Sequence, residues 1–401
     1  MKRDPKTMNP ILLLVVVMAV GLQDVASGAI SPAIASIAAA FPGVSTTMIQ
    51  MLVTLPNILI VIMAPLYGWL STRIQPRKII IFGLVMFSAG GILPAFMNSL
   101  PHILFFRVFL GLGTGITLPS AIAIIPAFYE GNQREKLVGW NMSVGCFGCI
   151  IMQILGGYLT EIDWHYSFFA YGVGVFSLVM VLLFLPEVSM KQSGETEEPA
   201  KKGGIFAQIP KAVYGIALIY LVGMILDTVM ATNISLQIET EGIGSPANSG
   251  IGLSLFIGGS LVSSLLYGKY YEICKEFSRG LAWVIMGIGF FMCASSYTIV
   301  TIYFSLLICG IGNGLVVPAY FAHVSKITAR GYVAFSVAMI SAAQGLGNFI
   351  VPVFVNMIVR AFSRDYGRFP ILFSSFALMS LGIVLTLWVV FQKNRSVKTS
   401  G

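Results

Sequence analysis

The chain has 401 residues, of which 57% are hydrophobic and only 10% are Asp, Glu, Lys or Arg, against about 25% charged in soluble domains. So few charges cannot cover a soluble fold of this size, and the composition points instead to a polytopic membrane protein. The formal net charge of +8 carries no nucleic-acid signal until the basic residues are placed along the chain.

A helix needs about 20 apolar residues to cross a bilayer. Turn and charge signals cut the sequence into twelve such stretches: residues 9–38, 46–71, 77–97, 101–128, 134–159, 165–186, 210–238, 247–271, 279–299, 301–323, 332–360 and 368–391. Lys2, Arg3 and Lys6 precede the first one, and Ala26–Ala29 resembles a signal-peptide cleavage site. Apolar character continues to Ala40, so an uncut first helix is the better expectation.

With the N-terminus placed in the cytoplasm, 20 of the 24 Lys and Arg residues fall in cytoplasmic segments. Three, Arg360, Arg364 and Arg368, fall outside, and Arg107 lies within a helix. That bias supports twelve spans with both termini cytoplasmic. It also accounts for the basic charge without nucleic acid. The longest polar stretch, Glu187 to Gln208, follows the sixth span and reads as a flexible linker. The expected organisation is therefore a six-helix bundle over 1–186, a cytoplasmic linker over 187–209 and a second bundle over 210–401. The five cysteines have no secreted-type spacing and imply no disulfide framework.

The halves resemble each other at an offset near 200. Gly111-Leu-Gly-Thr-Gly-Ile-Thr-Leu-Pro119 matches Gly310-Ile-Gly-Asn-Gly-Leu-Val-Val-Pro318, and Gly68 matches Gly268. Asp24 falls near Asp227, and Gly148 matches Gly347. Six helices per repeat leave both halves with the same membrane topology, an arrangement of transporters whose substrate site lies near the midplane.

Gly68-Trp-Leu-Ser-Thr-Arg-Ile-Gln-Pro-Arg-Lys78, after the second span, resembles the G-x-L-a-D-R-x-G-R-K signature of the major facilitator superfamily, with Thr72 in place of its acid. Arg107-Val-Phe-Leu-Gly-Leu-Gly-Thr-Gly115 resembles that superfamily's fourth-helix signature. Leu185-Pro-Glu187 resembles its usual end of the sixth helix. In the fifth helix, Met152-Gln-Ile-Leu-Gly-Gly157 keeps the glycine pair of the antiporter signature and has Gln153 for its proline. The resemblance implies an all-α integral membrane fold of twelve transmembrane helices in two parallel six-helix repeats. It further implies helices 1, 4, 7 and 10 flanking a central cavity, and a loop latch to which Gly68 and Arg73 would belong. Glu272 stands in the second half where Thr72 stands in the first, and is the candidate acid of that latch.

Ionisable groups in the hydrocarbon region are costly and mark function by default. Three qualify: Asp24, Arg107 and Asp227. A desolvated carboxylate holds its proton, and a nearby guanidinium favours release, so these three are the proton-coupling candidates. A static ion pair that fixes helix packing is the plain alternative. Polar residues at helical spacing are candidates for lining the substrate cavity: Ser27 and Ser31 beside Asp24, Gln50, Thr54 and Asn57, Gln153, Asn313, and Gln344 with Asn348. Interhelical hydrogen bonds of about 0.6 kcal/mol would explain any one of them equally well.

The sequence has no G-x-x-x-x-G-K-[ST] loop for ATP and no cofactor motif, and Cys146-x-x-Cys149 has no nearby His or second Cys pair to complete a metal site. The expectation is a proton-coupled transporter of a small organic solute, not an enzyme, monomeric in a bacterial plasma membrane, with substrate, protons and lipid as its partners. Efflux of an amphipathic, drug-like compound is the first reading. Uptake of a nutrient or organic anion, with Arg107 as the anion clamp, is the alternative. A non-transporting receptor or scaffold would need a large extramembrane segment, and Glu187 to Gln208 is the longest polar stretch.

Overall fold

A computed structural model describes residues 10–23, 26–71, 73–125, 128–129, 131–186, 209–329, 332–362 and 365–399. The expected linker, Asp24 and Thr72 lie outside these residues. Regular structure among them is helical, without a strand. This is what lipid demands, because a helix satisfies its backbone groups internally where no water can.

Among the described residues, eleven helical stretches are long and apolar enough to cross a membrane. In chain order the α-helices are α1 (Pro10–Gly21), α2 (Ile34–Ala40), α3 (Thr46–Ser71), α4 (Pro76–Ile92), α5 (Leu100–Ala123), α6 (Gly131–Ile162), α7 (Gly172–Phe184), α8 (Lys211–Thr240), α9 (Pro246–Leu265), α10 (Tyr267–Cys274), α11 (Ser278–Ala294), α12 (Ile299–Ile327), α13 (Val333–Phe362) and α14 (Arg368–Thr399). Large apolar side chains stay exposed on their outer faces, including Phe105, Phe147, Leu218, Val262, Val384 and Leu387. Water would penalise such surfaces, whereas acyl chains cover them at no cost.

Two expected spans are broken. The first is not one helix over 9–38. A 3-10 segment, Ala26–Ala33, separates α1 from α2 and contains Pro32, which brings no N–H to an α-helical ladder. The stretch expected as 247–271 bends at Leu266, whose backbone sits at φ −89° and ψ 0°, between α9 and α10. The sixth span begins as a 3-10 segment, Trp164–Tyr171, before α7. Asp163 caps that segment by accepting a 2.9 Å bond from the His165 amide.

The chain forms two compact units: residues 1–195 with 245–254, and residues 196–244 with 255–401. In the first, α5 packs on α3 and α4, and α6 packs along the Ala26–Ala33 segment. A core of Val16, Val17, Val20, Leu84, Ile124 and Val181 joins α1, α4, α7 and the end of α5. In the second, α11 packs on α12 and α14, and α8 on α13 and α14.

The glycines matched between the halves occupy matching places. A Cβ on Gly111 would lie 2.8 Å from the Pro56 carbonyl of α3, and one on Gly310 2.0 Å from the Phe256 carbonyl of α9. Gly113 faces α4, where an added Cβ would meet the Phe87 amide nitrogen, as one on Gly312 would meet that of Met286 on α11. Gly115 would meet Met63 and Gly314 the Ser260 carbonyl. Small residues thus let backbone approach backbone on two sides of α5 and of α12. All five cysteines are free thiols.

Candidate functional site

Each unit carries its own buried polar set. In the first, Arg107 projects from the middle of α5 and is fully buried. Its Nη1 donates a 2.8 Å bond to the Tyr171 hydroxyl, and its guanidinium carbon lies 4.9 Å from the Tyr171 ring centre and 5.1 Å from that of Phe168. Nε and Nη2 have no hydrogen-bond partner among the described residues. A guanidinium with one phenol and two ring faces is incompletely compensated, because each missing charge-assisted bond costs about 1.5–3 kcal/mol. Pairing with Asp24 falls outside the described residues. Tyr171 carried no sequence signal, since a tyrosine at the end of an apolar run reads as an interfacial anchor.

A second group gathers where α6 runs along the broken first span. Gly21 abuts the Asn141 amide, Gly148 approaches the Leu22 carbonyl, and Gly28 lies near Ser31 Oγ and Gln153 Nε2. The structure thus places Ser31 and Gln153, candidates from two different helices, beside Gly28. Both amide atoms of Gln23 and of Asn141, Gln153 Oε1 and Ser31 Oγ are buried without a hydrogen-bond partner among the described residues. Buried polar groups are nearly always satisfied, so four such side chains around one helix break form an uncompensated polar set among the described residues. Gln23 was missed; its neighbour Asp24 drew the attention. Of Ser27 only the backbone is described.

The stripe on α3 is placed differently. Gln50, Thr54 and Asn57 are buried. Thr54 donates to the Gln50 carbonyl at 3.5 Å, and Asn57 to the Val53 and Thr54 carbonyls at 3.3 and 3.4 Å. Thr54 and Asn57 therefore bond their own helix, as short polar side chains in apolar surroundings do.

In the second unit, Asn313 of α12 donates from Nδ2 to Asp227 Oδ2 of α8 at 3.1 Å. Ser260 of α9 donates to Asn313 Oδ1 at 2.9 Å, which fixes the amide's orientation. Asp227 Oδ1 is shielded from solvent and has no partner among the described residues. One carboxylate oxygen is therefore held and the other left open. Gln344 and Asn348 of α13 turn toward α8: Gln344 accepts from Tyr220 at 3.2 Å and Asn348 from Thr228 at 2.9 Å. Tyr220 stacks obliquely on Tyr320, with centroids 4.9 Å apart, and Tyr320 accepts from Trp283 Nε1 at 2.8 Å. Ser260, Tyr220 and Thr228 were not among the expected residues; single hydroxyls in apolar runs leave no periodic trace.

Of the latch candidates, Arg73 and Glu272 are exposed. Gly68 is in the last turns of α3, and Arg73 lies over the Trp69 ring at 4.6 Å. Glu272 is exposed on α10, one turn before Glu276, which lies 3.7 Å from Lys326.

The sequence matches the model of the Major Facilitator Superfamily over residues 16–352. Among curated proteins, it is 23% identical over 308 residues to the Quinolone resistance protein NorA of Staphylococcus aureus (strain MRSA252), covering 74% of this chain and 77% of that one. It is 29% identical over 125 residues to Multidrug resistance protein 3 of Bacillus subtilis (strain 168). That match takes in 31% of this chain and only 24% of the relative's length. Among solved structures, a D-xylose–proton symporter aligns with a TM-score of 0.70 at 16% identity, over 94% of this chain and 96% of that one. A bacterial homologue of the lysosomal transporter Spinster, inward-facing and occupied, aligns at 0.73 and 14%, over 96% of each. At such identities the structures speak for the fold: twelve membrane helices in two six-helix repeats.

Proposed function

The chain belongs to the Major Facilitator Superfamily, whose members are membrane transporters and not enzymes, and from that premise we propose that it is a proton-coupled secondary transporter exporting an amphipathic, drug-like organic solute. The observation that carries proton coupling is Asp227. It lies within a membrane span, one oxygen accepts from a neutral amide, and the other has no partner among the described residues. An ionised carboxylate so placed is expensive. A proton taken from one side and released to the other would alternate the charge at that point and bias the two access states. Export is supported by the multidrug and quinolone-resistance names of the relatives. The unpaired carboxylate favours a cationic or neutral solute, because a charge in a low-dielectric cavity is poorly screened.

Asp24, Arg107 and Asp227 form the coupling set in this reading. Ser27, Ser31, Gln50, Thr54, Asn57, Gln153, Asn313, Gln344 and Asn348 serve the solute cavity, and Gly68, Arg73 and Glu272 the latch. The protein works as a monomer in a plasma membrane, with both termini and the 187–209 linker on the cytoplasmic side. One observation favours a second reading, uptake of an organic anion: Arg107 Nε and Nη2 have no hydrogen-bond partner among the described residues.

Purified protein in ATP-free proteoliposomes, given an imposed pH gradient and a panel of labelled cationic, neutral and anionic solutes, tests the proposal. Gradient-driven accumulation should collapse with a protonophore. Asp227→Asn should lower it by about 5- to 150-fold, the range of a coupling free energy of about 1–3 kcal/mol, while solute exchange persists. Accumulation indifferent to the gradient would refute proton coupling. A preference for anions would put uptake first.

A further inference from the structure

A cavity of about 170 Å³ opens in the second unit where α10 turns into α11 beside the end of α12. Three cations line it, Lys275, Arg279 and Lys326, against one acid, Glu276. His323 also faces the cavity. Ala319 and Ala322 of α12 leave the space that longer side chains would fill. Tyr267 and Tyr271 wall it, with ring centres 6.1 Å apart, and present hydroxyls that can donate. Lys326 lies 3.7 Å from Glu276 in an ion pair exposed on both sides. The lining therefore carries an excess of two positive charges.

The backbone shows the same emphasis. Lys275 is the one non-glycine residue with positive φ among the described residues, at φ 46° and ψ −124°. A branched or long side chain in that region is strained, and such strain concentrates at binding sites. The tight turn is tied down by a 2.8 Å bond from the Tyr270 hydroxyl to the Ser278 carbonyl. Glycine would be the relaxed choice for this turn, and a lysine lining the cavity stands there instead.

We propose that this cavity is a binding site for a phosphate group, held by Lys275, Arg279 and Lys326. The guanidinium fork suits phosphate oxygens, and two lysines add point charge. A cavity of this size holds several waters at about 30 Å³ each, enough for a phosphate and its ester oxygen. Leu265, Leu266 and Ile273 flank it with exposed apolar surface; Ile273 is 82% exposed. That surface favours phosphate carried by a lipid over free phosphate, since acyl chains can lie along it while the headgroup enters. Basic pockets between membrane helices on the cytoplasmic side suit anionic headgroups, and the basic-residue bias assigns this end to the cytoplasm.

Full-length protein in neutral detergent is titrated with dioctanoyl phosphatidate, dioctanoyl phosphatidylcholine and inorganic phosphate, and read by thermal unfolding and by microscale thermophoresis. Phosphatidate should bind and raise Tm, and phosphatidylcholine should do so at least about tenfold more weakly. Arg279→Gln and Lys326→Gln should each weaken phosphatidate by about fivefold. Inorganic phosphate binding as tightly as phosphatidate, and lost in the same variants, supports the site with a soluble source; phosphatidate alone supports it with a lipid source. Lys275→Gly is the variant that cannot fail by misfolding, because it relaxes the turn. It should leave the unliganded Tm unchanged or higher while lowering affinity about fivefold. Equal binding of phosphatidate and phosphatidylcholine, or full affinity in Lys275→Gly and Lys326→Gln, would overturn the proposal.

Discussion

Arg368 ties three segments of the second unit together, and its removal gives a sharp test of how that unit holds its shape. Its Nε and Nη2 both donate to the Glu241 carboxylate, the first at 2.9 Å. Nη1 donates to the Ala294 carbonyl at 2.6 Å and Nη2 to the Ser296 carbonyl at 2.9 Å. Those carbonyls end α11, where a cation also meets the negative end of the helix. The guanidinium carbon lies 4.1 Å from the Tyr297 ring centre. The Arg368 side chain is 16% exposed and that of Glu241 28%, so the pair sits between the exposed and buried limits. An exposed pair contributes about 0.2–1 kcal/mol and a buried charge-assisted bond about 1.5–3. The lower end for each carbonyl bond and about 1 kcal/mol for the pair give about 4 kcal/mol for Arg368→Ala, reduced to about 3 by water reaching Glu241. Arg368→Lys keeps the charge and loses the fork, and should recover less than half. The assay is thermal unfolding in detergent: a fall of about 5 °C or more for alanine. A double-mutant cycle with Glu241→Ala should return a coupling of about 1 kcal/mol. A melting point within about 1 °C of wild type would refute the assignment.

Gly314→Ala should cost about 1–3 kcal/mol, because its Cβ would lie 2.1 Å from the Ser260 carbonyl, while Gly258→Ala, with open space around it, should be neutral; equal melting of the two would reject the close-packed contact. Tyr171→Phe removes the hydroxyl that accepts from Arg107 and should destabilise by about 1.5–3 kcal/mol; an unchanged melting point would mean that the guanidinium has another acceptor. The His165 backbone amide, and then its ring, hold the Asp163 carboxyl below the usual carboxylate range. Its contribution is present at neutral pH and lost as pH falls through that lowered value, below about pH 4. Acid melting curves of wild type should therefore bend in this window and those of Asp163→Asn should not, with only a small difference at pH 7 because the side chain is half exposed; identical curves would remove the cap from the account.

The membrane spans were legible because the bilayer fixes their length and forbids alternatives. What hydropathy cannot register is the hand and pitch of the backbone. Ala26–Ala33 is less apolar than α1 and holds Pro32, but apolar character resumes to Ala40 and hid the 3-10 winding; the break at Leu266 left no mark in composition. The glycine repeat of the two halves was legible, but which helices approach α5 and α12 at those glycines was not. Asp227 and Asn313 were legible separately, one as an acid in an apolar run and the other inside the glycine motif. Their hydrogen bond was not, since it depends on how α8 and α12 are rotated against each other. Periodicity placed Thr54 and Asn57 on one face correctly, but periodicity cannot distinguish a side chain that reaches outward from one that folds back on its own helix. Arg368 was visible only as an exception to a charge bias. Its clamp joins residues far apart in the chain, and no local pattern announces that.

The 3-10 segment of the first span stores a definite mechanical stroke. Eight residues at about 2.0 Å per residue reach about 16 Å, against about 12 Å at the α-helical rise of about 1.5 Å. Rewinding Ala26–Ala33 as α-helix would draw α2 about 4 Å along the axis. It would also turn α2 by about 160°, because each residue would advance about 100° in place of about 120°. Ser31 would then turn away from Gln153 of α6. A change of winding confined to eight residues would thus shift and turn its polar side chains while both flanking helices stay intact.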